Sequence, residues 1–178
     1  MTIAESLLLV ATDEHKQPVG DPAVIDAALA AAHLVELGIF ARITTSEDDV
    51  TVLDDTPPDD PLLRTALEQL STAGTLKRDD ASMHVGHGLR EACYRSLENK
   101  GVLARLDHGW RSIDDGHETR IRAALRMALN DATAVPRTRI VGLALTMAAH
   151  GLTERPVAIK RLAAAHPLLA NLAGFHPQ

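Results

Sequence analysis

The sequence predicts a mainly α protein carrying two small β-hairpins as accessories. Helix-start signals recur along the chain: Thr2 with Glu5, Asp21-Pro22 and Asp60-Pro61. Between them run long alanine- and leucine-rich stretches that no Gly/Ser or Pro-rich linker divides. The β-rich runs are short and come in pairs around polar turns.

Taken in order, Thr2 and Glu5 read as a capping box opening a short helix through Leu9. Asp21 is an N-cap with Pro22 at the first helical position. The helix that follows carries Ile25, Leu29, Ala32, Val35 and Glu36 and is expected to stop at Gly38. Its run over residues 27–32 is apolar all round, which predicts a central position. Residues 39–44 and 50–53 flank the turn Ser46-Glu47-Asp48-Asp49 and predict the first hairpin. Asp60-Pro61 starts a helix to about Leu70. A longer helix is predicted over residues 83–99, closed near Gly101. The second hairpin pairs residues 102–106 and 110–113 around Asp107-His108-Gly109. Helices follow at about 118–130, 136–149 and 154–166, with a short one after Pro167.

The length, 178 residues, suits a single domain over residues 1–178. A chain this long buries ~70% of the surface it exposes when unfolded, enough for a core without disulfides or a structural metal. Four aromatic residues, Phe40, Tyr94, Trp110 and Phe175, are too few for a stacking platform for bases or sugars. The single cysteine, Cys93, excludes an intramolecular disulfide and a Cys-rich zinc site, and it fits a reducing compartment. The first residues lack the positive segment of a signal peptide. The longest apolar stretch, residues 140–149, falls short of the ~20 residues of a spanning helix. The expectation is a cytoplasmic protein, peripheral to a membrane where it meets one.

Net charge is −6, but it is divided unevenly. Residues 1–89 hold 5 Lys/Arg against 16 Asp/Glu, and residues 90–178 hold 13 against 8. Either the basic half meets an anion, or the two halves face and neutralise each other. Walker, Gly-x-Gly-x-x-Gly, Gly-x-Ser-x-Gly and His-Glu-x-x-His patterns are absent. The Asp pairs, such as Asp54/Asp55 and Asp59/Asp60, sit in predicted turns, where Asp satisfies local N–H groups. His84 and His87 would share a helix face, but a metal needs further ligands, and spacing brings none of His33, His108, His117 or His150 to them. Neither an enzyme nor a cofactor or metal site is expected.

The informative segment is residues 87–113. On one continuous helix, His87, Arg90 and Tyr94 would share a face. The hairpin beyond adds Arg105, Trp110 and Arg111. A Trp beside Arg at a hairpin tip fits an interfacial anchor, with the indole at the headgroup boundary and the cation on phosphate. Equally, Trp110 could fold back to cap the core. A helix followed by a hairpin also describes a winged-helix DNA reader, but Glu91 and Glu98 offset Arg90 and Arg95 along the would-be recognition helix.

Five blocks in order resemble the Golgi phosphoprotein 3 family in its short bacterial branch. They are Ala4-Glu5-Ser6-Leu7-Leu8-Leu9, Leu34-Val35-Glu36-Leu37 with residues 39–43, and Asp59-Asp60-Pro61-Leu62-Leu63 leading to Ala66-Leu67. The others are Leu97-Glu98-Asn99-Lys100-Gly101-Val102-Leu103 and the stretch from Arg137 to Leu145. The resemblance implies a compact helical bundle ringed by amphipathic helices, with a projecting hairpin. In eukaryotic members it implies phosphatidylinositol-4-phosphate binding and retention of glycosyltransferases by their cytosolic tails. The family's headgroup pocket uses an early Trp, an Arg on the second helix and an Arg-x-x-Arg pair. Here the early Trp falls near Asp21 and the second-helix Arg near Ala30, and the pair matches His87 and Arg90.

The sequence reading is therefore a non-enzymatic peripheral protein. Headgroup contact is assigned to His87, Arg90, Arg105 and Arg111, and membrane contact to Trp110. The expected partners are an anionic phospholipid surface, other proteins and a second copy of the chain; the acidic balance argues against nucleic acid. The alternatives are a protein-interaction adaptor without a lipid ligand and a winged-helix regulator.

Overall fold

The structure is a computed structural model that describes residues 1–13, 15–130, 137–153 and 156–175. Among these residues it has nine helices, one three-stranded antiparallel sheet and one two-stranded hairpin. The expected class, mainly α with small β-hairpins, is what forms.

Helix α1 (Ile3–Val10) begins with both bonds of the capping box. Thr2 N–H donates to Glu5 Oε2 (2.7 Å), and Glu5 N–H donates to Thr2 Oγ1 (3.1 Å). Glu5 is wholly buried and its other oxygen meets Lys100 Nζ at 2.7 Å. Helix α2 (Pro22–Ile39) starts from Asp21, whose carboxylate accepts from Ala23 N–H, with Pro22 behind it. Its buried residues lie on all sides, as the run at residues 27–32 predicts. By length and composition alone α2 could cross a membrane, although Asp26, His33 and Glu36 interrupt its apolar run; most of the helix is buried inside the fold.

Gly38 does not end α2. The helix runs on to Ile39, and a Cβ at Gly38 would lie 2.4 Å from Leu172 Cδ1, so this glycine permits close approach rather than a stop. The first strand consequently starts later than expected. Strands β1 (Ile43–Ser46) and β2 (Asp49–Val52) pair as a hairpin, and β3 (Leu76–Lys77), too short to show in sequence, adds to β2. Helix α3 (Pro61–Ala73) is capped by Asp60 and closed by Gly74 at φ 78°.

The predicted helix over residues 83–99 is two helices. Helix α4 (Arg78–Gly86) ends at His87, which is extended, and α5 (Leu89–Asn99) starts from Gly88 at φ 69°. That left-handed φ suits glycine and turns the chain between them. Strands β4 (Leu103–Leu106) and β5 (Gly109–Ser112) form the second hairpin, with Arg105 opposite Trp110. Helices α6 (Gly116–Asn130), α7 (Thr138–Ala149), α8 (Pro156–Ala165) and α9 (Pro167–Leu172) follow. The predicted helix starts at Pro136 and Glu154 fall outside the described residues.

Helices α1, α2 and α7 pack on one another at the centre, and the other helices surround them. Two buried polar groups lie along α2. Glu36 accepts from Ile3 N–H (2.6 Å) and pairs with Arg139 (2.7 Å). Burial raises its pKa, against the pull of the Ile3 N–H and the Arg139 charge. His33 presents Nδ1 to the Leu29 carbonyl (3.1 Å), so Nδ1 carries the proton, and Nε2 has no hydrogen-bond partner among the described residues.

Burial lowers the His33 pKa below its ordinary 6.5. A base with a depressed folded pKa gives stability that is present above the unfolded value and lost as pH falls below it. Glu36, raised on folding, acts in the opposite sense, so the His33 contribution is read as a difference. Melting temperature followed from about pH 7.5 to about pH 5.5 should fall less steeply in His33→Leu than in the wild type. Equal slopes would show that His33 takes up its proton as readily in the fold as outside it.

Candidate functional site

The break at Gly88 sets His87 on the wall of a cleft of about 550 Å³. From α2 the lining includes Asp26, Ala27 and Ala30, and from α4 it includes Arg78, Asp79, Ser82 and Met83. The end of α7 contributes His150, and α9 with the residues after it completes the floor. Small side chains open the space: a Cβ on Gly86 would lie 3.4 Å from that of Ala30.

The polar groups of this cleft are of mixed sign. Arg78 is held among Asp79 (3.4 Å), Asp48 (3.8 Å) and the Asn171 carbonyl (3.4 Å). His150 Nδ1 lies 2.9 Å from the Thr146 carbonyl. Asp26 Oδ2 accepts from Arg90 Nη2 at 2.9 Å, so this arginine already holds a carboxylate. An incoming phosphate would meet one guanidinium and two imidazoles, but also Asp26 and Asp79. Ligands of low charge density suit such a site better than a phosphomonoester does.

The hairpin differs from the sequence reading. Trp110 is 6% exposed and its ring stacks on Tyr94, centroids 5.2 Å apart and 9° from parallel. Trp110 N–H donates to the His15 carbonyl (3.4 Å), and Tyr94 Oη donates to the Lys16 carbonyl. Burial pushes the Tyr94 phenol up to about 12, so it remains a donor. Trp110 is thus a core residue rather than an exposed indole, because its flat ring finds a flat partner inside. Arg105 lies over the indole at 5.6 Å. The apolar side chains that this region does expose are Leu106 and Ile113.

His87 and Arg90 therefore do not share a face of one helix. His87 lines the first cleft, and Arg90 reaches its wall through Asp26. Arg105 and Arg111 project from the hairpin, and Arg111 lines a second cleft of about 780 Å³. There the buried Lys16 pairs with Glu118 (2.8 Å), which also accepts from Arg122 (2.8 Å). Helix α5 shows Glu91, Arg95 and Glu98 to solvent, an alternation of sign unsuited to a DNA recognition helix. Sequence reasoning missed Asp26, Arg78 and His150. Asp26 was within reach, since it lies four residues before Ala30 on one face of α2.

A family model described as Golgi phosphoprotein 3 (GPP34) matches residues 3–174, nearly the whole chain. The chain belongs to the Golgi phosphoprotein 3 family. No curated protein matches it. Membership gives the cleft a frame. Of the positions that the resemblance aligns with the family's headgroup pocket, Ala30 and His87 line one cleft, and Arg90 reaches that cleft's wall. Asp21 caps α2, where its carboxylate serves the Ala23 N–H.

Proposed function

We propose that this Golgi phosphoprotein 3 family member is a non-enzymatic peripheral protein that binds anionic phospholipid headgroups reversibly, at the cytoplasmic face of a membrane. The observation that carries the reading is the meeting of Ala30, His87 and the Asp26–Arg90 pair around one cleft. Arg105 and Arg111 add cations on the hairpin. Each free cation near an anionic surface contributes ~1 kcal/mol, so Arg105 and Arg111 supply ~2 kcal/mol, while Arg90 is held back by its pairing with Asp26. Contact of that strength is weak and sensitive to salt. Since Ala30 and His87 replace two arginines of the family pocket, the reading commits to anionic headgroups in general rather than to phosphatidylinositol-4-phosphate.

Flotation with neutral, anionic and phosphoinositide vesicles, each at low and high salt, tests it. Binding should appear with anionic vesicles, fade with salt and show little preference for the phosphoinositide. Arg90→Ala with Arg111→Ala should lower it, and Asp26→Asn should raise it about fivefold by freeing Arg90. Unchanged binding in the double arginine variant would remove these residues from the site. No flotation with any vesicle would move the reading to a protein-interaction adaptor.

A further inference from the structure

A second basic surface lies away from the cleft. Residues 116–165 hold eight Lys/Arg and three Asp/Glu; of the cations, Arg155 lies outside the described residues, and Arg122 and Arg139 are paired with Glu118 and Glu36. Of those acids, Glu118 is the one among the described residues, and Lys16 and Arg122 already engage it. On α6, Ile121, Leu125 and Ala128 point inward, while Arg120, Ala123, Arg126 and Met127 are exposed. On α8, Ile159, Leu162 and Ala163 are buried, while Val157, Lys160 and Ala164 are exposed. Arg161 Nη2 donates to the Ala128 carbonyl (2.8 Å), which ties α8 to the last turn of α6. Met127 and Val157 are 63% and 84% exposed, unusually bare for large apolar side chains.

We propose that the outer faces of α6 and α8 form a second contact surface for an anionic bilayer, an inference that rests on the lipid reading above. Arginines beside bare apolar side chains match the phosphate layer and the acyl boundary beneath it. Nucleic acid fits less well, because the patch has no aromatic face for a base and the lone Trp is buried. The surface also continues one already described, since Arg122 of α6 and Arg111 of the hairpin line the same cleft. One weak signal holds a protein to a membrane only briefly, and a second makes attachment last.

The test uses mixed phosphatidylcholine–phosphatidylglycerol vesicles and the full chain. Arg120→Ser with Arg126→Ser should lower partitioning roughly 25-fold at low salt, about fivefold for each charge. Both positions are exposed, so an unchanged melting temperature verifies folding. Met127→Cys, carrying a polarity-sensitive dye, should shift its emission to the blue on binding; Cys93 is buried and does not compete for the label. If the wild type floats while the double variant partitions equally and the dye does not respond, this surface is refuted and the cleft reading stands. If the wild type floats with no vesicle, both fall. Retarding duplex DNA more strongly than it binds vesicles would overturn the surface in favour of nucleic acid.

Discussion

Trp110→Ala should lower stability by about 3 kcal/mol, read as a fall of roughly 6–12 °C in melting temperature. The indole is buried, stacked on Tyr94 and tied through its backbone to His15. Truncation would leave a ring-sized hole under the hairpin and strip Tyr94 of its partner. Tryptophan fluorescence supplies an independent reading, because Trp110 is the only source. Emission should be that of a buried indole in the free protein and should stay unchanged when anionic vesicles are added. A variant as stable as the wild type, with wild-type emission that shifts on vesicle binding, would return Trp110 to the membrane surface.

Gly142→Ala should also destabilise, against the rule that alanine improves a helix by about 1 kcal/mol over glycine. A Cβ at this position would lie 2.6 Å from Val35 Cγ1 and 3.0 Å from Ile3 Cδ1. Val35 is buried and β-branched, so its Cγ1, fixed by χ1, has no free rotamer to move into. Overpacking of this kind costs about 1–3 kcal/mol, and Gly142→Leu should cost more. Gly86→Ala is the control, since its Cβ would meet Ala30 at 3.4 Å, an ordinary contact. Chemical denaturation of the three variants decides. A neutral Gly142→Ala would mean that α7 does not approach α1 and α2 this closely.

The features read correctly from sequence are those that a few neighbouring residues decide. Thr2 with Glu5, Asp21-Pro22 and Asp60-Pro61 each start a helix because the cap and the N–H it serves lie within one turn. The all-round apolar run of α2 likewise announced its central place. Failures came where distant residues decide. Gly38 reads as a stop, yet Leu172 across the fold makes it a contact glycine. Trp110 could equally face out or in until the Tyr94 ring is placed beneath it. Arg90 looks like a free cation until Asp26, 64 residues away, is placed beside it. The predicted helix over residues 83–99 breaks for a local reason, the left-handed φ of Gly88.

The placing of α2 also bears on how the protein is made. Its closest cover comes from α1, just before it in the chain, and from α7, which ends at Ala149. At ~5–20 residues per second, the ~110 residues between the end of α2 and the end of α7 take ~5–20 s to synthesise. Over that interval α3, α4 and α5 cover this membrane-length apolar segment in turn as they emerge, while the cover of α7 and α9 is still missing. The newborn protein is thus exposed to membranes and to chaperones by its core before its finished surface exists. Its yield in the cell should be more sensitive to translation speed between residues 40 and 149 than its equilibrium stability would suggest.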